Sequence, residues 1–183
     1  MGGLTRPTLH TERLRLEPIT DGHTDDLVAL CADPEVMRFI TGRALTRDEV
    51  VEEWMPRWTR EWPRGLGYWA AFAGSGFVGR LALRPEGADA AELGWRLAKS
   101  AWGNGYATEG AAALLELARR RGLVRVWAET MVANVASRRV MERLGMTYER
   151  TYVGEWDQPL PGWEQGEVVY AVDATTWRAA SSG

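Results

Sequence analysis

The stretch that decides the fold spans 95–109 and reads Trp95-Arg-Leu-Ala-Lys-Ser-Ala-Trp-Gly103-Asn-Gly105-Tyr-Ala-Thr-Glu109. An alternating apolar segment ends near Leu97, two glycines follow, and small or apolar residues then recur at helical spacing: Ala107, Ala111, Leu114, Leu115 and Ala118. The pattern predicts a strand, a glycine turn and a helix. The first turn of such a helix has unpaired backbone N–H groups beside the positive end of the helix dipole. We therefore predict a phosphate or pyrophosphate site at this turn.

Two familiar nucleotide-binding motifs do not fit the turn. Thr108 stands where the dinucleotide fingerprint has its third glycine, and no Gly-Lys-Ser/Thr follows as in a Walker loop. An ordinary glycine turn before a helix explains the local sequence equally well. The functional interpretation therefore depends on a second motif.

That motif begins about thirty residues downstream and reads Asn134-Val-Ala-Ser137-Arg-Arg-Val-Met141-Glu-Arg-Leu-Gly145. Together with Trp102-Gly-Asn-Gly-Tyr-Ala-Thr-Glu109, it resembles the GCN5-related N-acetyltransferases, and among them the RimJ/RimL-type branch. The resemblance extends from Thr11 to about Tyr170. It implies an α/β (α+β) fold with a mixed, mostly antiparallel sheet of about seven strands, a splayed parallel pair at the coenzyme A site and about four flanking helices. We expect one domain over 1–183, with 174–183 as a flexible tail.

Local patterns agree with this fold. Alternation and turn signals predict strands over 9–19, 68–73, 77–84, 90–97, 123–130, 147–156 and 167–173. A capping box, Thr46-x-x-Glu49, predicts a helix that reaches Pro63 and is kinked or divided at Pro56. Three tryptophans on it, at positions 54, 58 and 62, follow helical spacing. Core packing is the default explanation for them, and a substrate pocket is the alternative.

The resemblance implies acetyl-CoA as co-substrate, with no metal. Its pyrophosphate would contact the turn and the start of the helix, and its pantetheine would pair with exposed strand backbone. The implied contacts are Arg96, Leu97, Ala98, Trp102, Gly103, Asn104, Gly105, Tyr106, Ala107, Thr108, Asn134 and Ser137. Ser100 occupies a position where the family has Gln or Arg, so a charged contact is missing there. Asn134 is equally suited to be a helix N-cap.

Acetyl transfer to an amine requires a proton acceptor for the ammonium and a proton for the departing thiolate. Candidate bases are Glu92, Glu155 and Glu164; Glu92 could instead be a solvated or ion-paired strand residue. Many relatives supply the proton from a tyrosine seven residues after the asparagine, a position held here by Met141. Some RimL-type members use the serine three residues after it, which corresponds to Ser137.

Composition excludes several other classes. The net charge of −3 and the lack of a dense Lys/Arg block argue against nucleic acid as a partner. No apolar stretch approaches the roughly twenty residues of a membrane span, so we expect a cytoplasmic protein. A single cysteine, Cys31, and two histidines make a metal site improbable.

The sequence therefore predicts an N-acetyltransferase that moves acetyl from acetyl-CoA to a primary amine by direct attack in a ternary complex. A protein N-terminus and a small-molecule amine both fit as acceptor. The alternative is a catalytically silent acyl-CoA-binding sensor or interaction protein, which Met141 supports. A homodimer is consistent with the family.

Overall fold

The computed structural model describes residues 4–155 and 159–179. The strands are β1 (Leu9–His10), β2 (Leu14–Pro18), β3 (Gly67–Ala73), β4 (Gly76–Glu86), β5 (Ala90–Leu97), β6 (Arg125–Met131), β7 (Thr147–Tyr152) and β8 (Glu167–Asp173). The α-helices are α1 (Thr24–Cys31), α2 (Pro34–Met37), α3 (Arg47–Glu49), α4 (Met55–Thr59), α5 (Tyr106–Arg120) and α6 (Val135–Arg143). Short 3-10 turns lie at Asp21–His23, Pro63–Gly65, Lys99–Ala101 and Trp163–Gln165. None of the helices in these ranges has the length and apolar character needed to cross a membrane.

The strands form one eight-stranded sheet in the order β1-β2-β3-β4-β5-β6-β8-β7. All neighbours are antiparallel except β5 and β6, which are parallel and pair only at Ala90↔Arg125, Ala91↔Val126 and Glu92↔Trp127. Beyond Glu92 the two strands separate. This confirms the predicted mixed sheet with a splayed parallel pair, and the additional strand is the two-residue β1.

Helix α5 covers one face of the sheet next to this separation. Leu114 and Leu115 are fully buried in the larger core cluster, together with Leu81 and Leu93 of the sheet. Burying each such leucine contributes about 1.5–3 kcal/mol. Gly110 allows the helix to lie close, because a Cβ there would be 2.8 Å from a methyl carbon of Leu81. The core therefore fixes the start of α5 at the end of β5.

The N-terminal helices cover the opposite face of the sheet in a second cluster. Trp58 is 1% exposed, which confirms core packing for this residue. The helix continues through Pro56, because the preceding turn (Val50–Trp54) is π-helical and joins α3 to α4. It ends at Thr59 rather than near Pro63, since Arg60 has an extended ψ of 155°. Trp62 therefore lies beyond the helix.

The chain after β8 is packed rather than frayed as far as the structure describes it. Ala174 and Trp177 are buried in the larger core cluster. The Trp177 indole donates a 2.8 Å hydrogen bond to the carbonyl of Leu144, just after α6. A large aromatic surface and a free carbonyl at a helix end explain this docking. The predicted flexible tail is thus wrong at Ala174 and Trp177, and 180–183 lie outside the described residues.

Candidate active site

A cavity of about 760 Å³ opens where β5 and β6 separate. Three walls meet around it: the end of β5 with the glycine turn, the end of β6 with the first turns of α6, and the loop after α2. Its lining includes Glu92–Leu97, Trp102, Gly103, Gly105–Thr108, Glu129–Met131, Asn134, Ser137, Met141, Glu167 and 38–40. The cavity thus joins the predicted anion site to four carboxylates, those of Glu35, Glu92, Glu129 and Glu167, of which Glu35 is ion-paired with Lys99.

The glycine turn has the conformation expected of an anion site. Gly103 and Gly105 have φ of 78° and 79°, a left-handed region that favours glycine. Helix α5 begins at Tyr106 without a side-chain cap, so its first N–H groups stay free. The hydroxyl of Thr108 is buried and has no hydrogen-bond partner within the described ranges. Free N–H groups beside an unpartnered hydroxyl fit an anionic group such as a pyrophosphate.

Two side chains near the turn hold its shape. The amide nitrogen of Asn104 donates to the carbonyls of Ala101 and Trp102, both at 3.1 Å, and Asn104 does not line the cavity. The Trp102 indole donates to the Leu97 carbonyl at 2.9 Å. Asn104 therefore braces the turn, in contrast to its predicted place at the cavity.

Glu109, the last residue of the stretch 95–109, joins the first turn of α5 to the segment between β1 and β2. It forms a 2.7 Å ion pair with Arg13 and accepts a 2.6 Å hydrogen bond from the Thr11 hydroxyl. Burial opposes ionisation of this carboxyl, but the hydrogen bonds from Thr11 and Arg13 outweigh it and lower the pKa of Glu109. This acidic residue is therefore a structural part of the motif.

The backbone of β5 faces the cavity at residues other than those predicted. The Ala98 N–H donates to Val78 and its carbonyl accepts from Ala101, both at 2.9 Å, and Ala98 does not line the cavity. In an antiparallel pair, every second residue directs both backbone groups at its partner. Arg96 therefore faces β4, whereas Trp95 and Leu97 face the separation. The structure places Leu97 as predicted, but not Ala98 or the backbone of Arg96.

The side chain of Arg96 is buried beneath the N-terminal helices. Its guanidinium lies 4.9 Å from the ring centroid of Trp54 and donates a 3.3 Å hydrogen bond to Cys31 Sγ. Burial lowers the pKa of Arg96. This side chain fastens β5 to the N-terminal helices that cover this face of the sheet.

Ser137 lies on the first turn of α6 and faces β5. The Trp95 indole donates a 3.2 Å hydrogen bond to its hydroxyl oxygen, so the Ser137 proton can be donated elsewhere. Asn134 caps the helix: its amide oxygen accepts from the Ser137 N–H at 3.3 Å, and its amide nitrogen donates to Thr130 at 3.0 Å. The oxygen and the nitrogen of the Asn134 amide thus each have a hydrogen-bond partner, which favours the N-cap interpretation.

Of the three predicted bases, one reaches the cavity. Glu92 lines it and forms an ion pair with Arg84, which occupies part of the accepting capacity of its carboxylate. Glu155 follows β7 as an exposed residue, and Glu164 is exposed on a 3-10 turn. Neither of them lines the cavity. The predictions for Glu155 and Glu164 are therefore not supported by their positions.

The sequence analysis missed two carboxylates in the cavity. Glu129 accepts a 2.8 Å hydrogen bond from the Tyr152 hydroxyl, and Glu167 is 9% exposed. Burial and the nearby Glu129 raise the pKa of Glu167 to about 7. Within the described ranges, neither carboxylate has a cation at ion-pair distance. Nothing in the local spacing indicates that these residues meet, because their proximity depends on the pairing of β6 with β8.

A parallel pair that separates beside the uncapped start of α5 is the arrangement that the sequence resemblance implies for a coenzyme A-dependent transferase. The chain matches the model of the acetyltransferase (GNAT) domain over residues 13–147. It belongs to this family and is an acetyl-CoA-dependent N-acetyltransferase.

Individual proteins agree with the family. The chain is 38% identical over 185 residues to FsC-acetyl coenzyme A-N(2)-transacetylase of Aspergillus fumigatus, a match that covers 94% of this chain and 78% of the relative. A GNAT-family acetyltransferase from Bacillus anthracis superposes with a TM-score of 0.78 at 20% identity, covering 92% and 99% of the two chains. RimL, a ribosomal L7/L12 α-N-protein acetyltransferase solved with coenzyme A, gives 0.74 at 22%, covering 93% and 98%. At these identities the two structures show the fold alone.

Proposed function

We propose that the protein acetylates a primary amine of a small molecule by direct attack in a ternary complex. The observation that carries this proposal is the continuous cavity of about 760 Å³, which connects the glycine turn to the carboxylates, so a donor and an acceptor bound at its two ends would meet. The Aspergillus relative is named for acetyl transfer to an N(2) nitrogen, which favours an amine on a small molecule.

The donor half of the cavity suits coenzyme A. The free N–H groups at the start of α5 and the Thr108 hydroxyl would bind the pyrophosphate. Backbone groups of Trp95 and the N–H of Leu97 would pair with the pantetheine amides, since the Leu97 carbonyl already accepts from the Trp102 indole. Arg139 and Arg143 lie one turn apart on α6 and also line the cavity, so they can supply the positive charge that Ser100 does not.

The bound acetyl-CoA supplies a thioester carbonyl and a thiol as leaving group. The acceptor must lose a proton before it attacks, because an ammonium has no free lone pair. A typical α-amino group has a pKa of about 7.7–8.0 and a lysine amine about 10.4, so a proton acceptor matters most for the more basic amines. Ser137, whose hydroxyl oxygen accepts from the Trp95 indole, would give its hydroxyl proton to the departing sulfur.

The test is thiol release from acetyl-CoA by the purified protein with a panel of amines. The panel contains amino acids and their derivatives with a free α-amine, polyamines, aminoglycosides, aromatic amines and peptides with a free N-terminus. We expect turnover with a small-molecule amine and a product heavier by one acetyl group. Turnover with peptides alone would replace the acceptor class, since a protein N-terminus would then be the substrate.

A second candidate is a catalytically silent acyl-CoA sensor. The fully buried Met141 favours it, because many relatives have a proton-donating tyrosine at this position. The sensor predicts a rise in melting temperature with acetyl-CoA and no thiol release with any amine. Turnover with any member of the panel would exclude it.

A further inference from the structure

Glu129 and Glu167 form an acidic pair in the cavity. Resting on the proposed function, we propose that Glu129 binds the ammonium form of the acceptor and that Glu167 is the general base that removes its proton. Three observations support this assignment: the positions of the two carboxylates, the contacts of each one, and the ion pair that engages Glu92.

Strand register places both carboxylates on the face of the sheet that the N-terminal helices cover. Trp127 pairs with Glu92, and Glu129 is two residues further along β6, so its side chain points to the same face as Glu92. Glu167 pairs with Met131 of β6 and with Tyr152 of β7, which are on that face as well. The two carboxylates therefore lie beside the separation of β5 and β6 and line the same cavity as Ser137 of α6.

Hydrogen bonding distinguishes the two carboxylates. Glu129 accepts a hydrogen bond from the Tyr152 hydroxyl at 2.8 Å, which orients its carboxylate. No described hydroxyl, amide or cation makes the corresponding contact with Glu167, which is nearly buried. Glu129 is thus held in position to bind an ammonium, while burial and the neighbouring Glu129 raise the pKa of Glu167 to about 7.

The other charged groups around the pair do not neutralise it. Arg139 and Arg143 of α6 also line the cavity, but neither lies at ion-pair distance from Glu129 or Glu167, and Glu35 is ion-paired with Lys99. Arg38 of the loop after α2 lines the same cavity, but its guanidinium lies over the Phe39 ring at 5.1 Å. Arg150 of β7 lies over the ring of Tyr152 at 5.8 Å. Glu92 on β5 is itself engaged by Arg84. Within the described ranges, the negative charge of the pair is thus available to a cationic substrate.

The proposed step balances in protons and electrons. Glu167 takes one proton from the ammonium, and the freed nitrogen lone pair forms the N–C bond to the acetyl carbonyl carbon. The C–S bond breaks and its electron pair stays on sulfur, which receives a proton from the Ser137 hydroxyl. The second nitrogen proton restores that hydroxyl as the amide forms. Glu167 returns its proton to solvent after product release.

The experiment measures kcat/KM against pH with an amine from the panel that the wild-type protein acetylates. We expect kcat/KM of the wild-type protein to rise with pH, with a midpoint of this rise (the limb of the profile) near pH 7, because Glu167 must be ionised to accept a proton. Glu167→Gln should lower kcat about 100-fold or more, and its limb should move up toward the pKa of the acceptor amine. Glu129→Gln should raise the KM of the amine and move the limb below 7, because the repulsion between the two carboxylates is lost.

Two further measurements make the test decisive. Glu52→Gln removes a charge from an exposed helical position outside the cavity and should leave the profile unchanged. Titration of ¹³C-carboxyl-labelled glutamates in the free protein should show one resonance with a midpoint near 7 that disappears in Glu167→Gln. This readout needs no turnover, so it is separate from the failure of the proposed function. A Glu167→Gln protein that keeps the limb near 7 and a kcat within threefold of wild type would overturn the proposal.

Discussion

In the proposed function, the donor half and the acceptor half of the cavity would recognise their substrates by different means. The donor half offers mainly backbone groups, those of Trp95 and Leu97 and of the first turn of α5. The acceptor half offers side chains, above all the carboxylates of Glu129 and Glu167. Backbone recognition depends on conformation, so a substitution disturbs it only by changing the shape of the chain. Side-chain recognition depends on charge, so an isosteric substitution is enough to disturb it.

The two halves also differ in how the chain assembles them. The donor half comes mostly from the continuous segment from Trp95 to Thr108. The acceptor half is brought together from β6, β7 and β8, with Glu129 and Glu167 contributed by separate strands. We therefore expect substitutions to separate the two halves cleanly, and the predictions below follow in order of decreasing effect.

The largest effect in this series should come from Ser137, which lies between the halves. Ser137→Ala removes the proton donor and should lower kcat about 100-fold, in the usual range for loss of a general acid. Affinity for acetyl-CoA should stay within about twofold, since the N–H groups of α5 are unchanged. Steady-state kinetics with direct binding of acetyl-CoA tests both statements. Ser75→Ala, in the exposed turn between β3 and β4, is the matched control. An undiminished kcat in Ser137→Ala would assign the proton to another donor.

A smaller effect is expected at the glycine turn, where Gly103→Ala can be compared with Gly122→Ala as a matched control. Gly103 and Gly122 have φ of 78° and 70°, and a Cβ at either would meet no atom within 4 Å. Alanine in this left-handed conformation costs about 1–2 kcal/mol, so both variants should lose similar stability. Only Gly103→Ala should weaken acetyl-CoA binding, by about tenfold, because Gly122 lies at the far end of α5. Calorimetric titration measures the difference, and equal affinities in the two variants would remove Gly103 from the donor half.

The smallest effect should come from Glu92. Glu92→Gln breaks the ion pair with Arg84 and should cost about 1 kcal/mol of stability. Its effect on kcat should stay below about threefold, because the proton is assigned to Glu167. Thermal unfolding measures the change in stability, and steady-state kinetics on the same preparation measures kcat. A loss of kcat of about 100-fold would return the role of base to Glu92.

The glycine turn and the start of α5 could be predicted from the sequence because their determinants are local. Glycines at 103 and 105 and the helical spacing after them specify the turn and the start of α5. The prediction was wrong at Ala98, because pairing with β4 decides which backbone groups are free. Glu167 was missed because its role depends on strand register and on a neighbour from β6. Trp177 was assigned to a flexible tail because its partner, the Leu144 carbonyl, is remote in sequence.

The central claim is that one cavity binds acetyl-CoA through backbone and the amine through carboxylates. Calorimetric titration of each substrate into Gly103→Ala and Glu129→Gln tests it most directly. We predict that Gly103→Ala weakens acetyl-CoA about tenfold and leaves the amine unchanged, while Glu129→Gln weakens the amine and leaves acetyl-CoA unchanged. If Glu129→Gln bound the amine as tightly as the wild-type protein, the acidic pair would not be the acceptor site and the account would be contradicted.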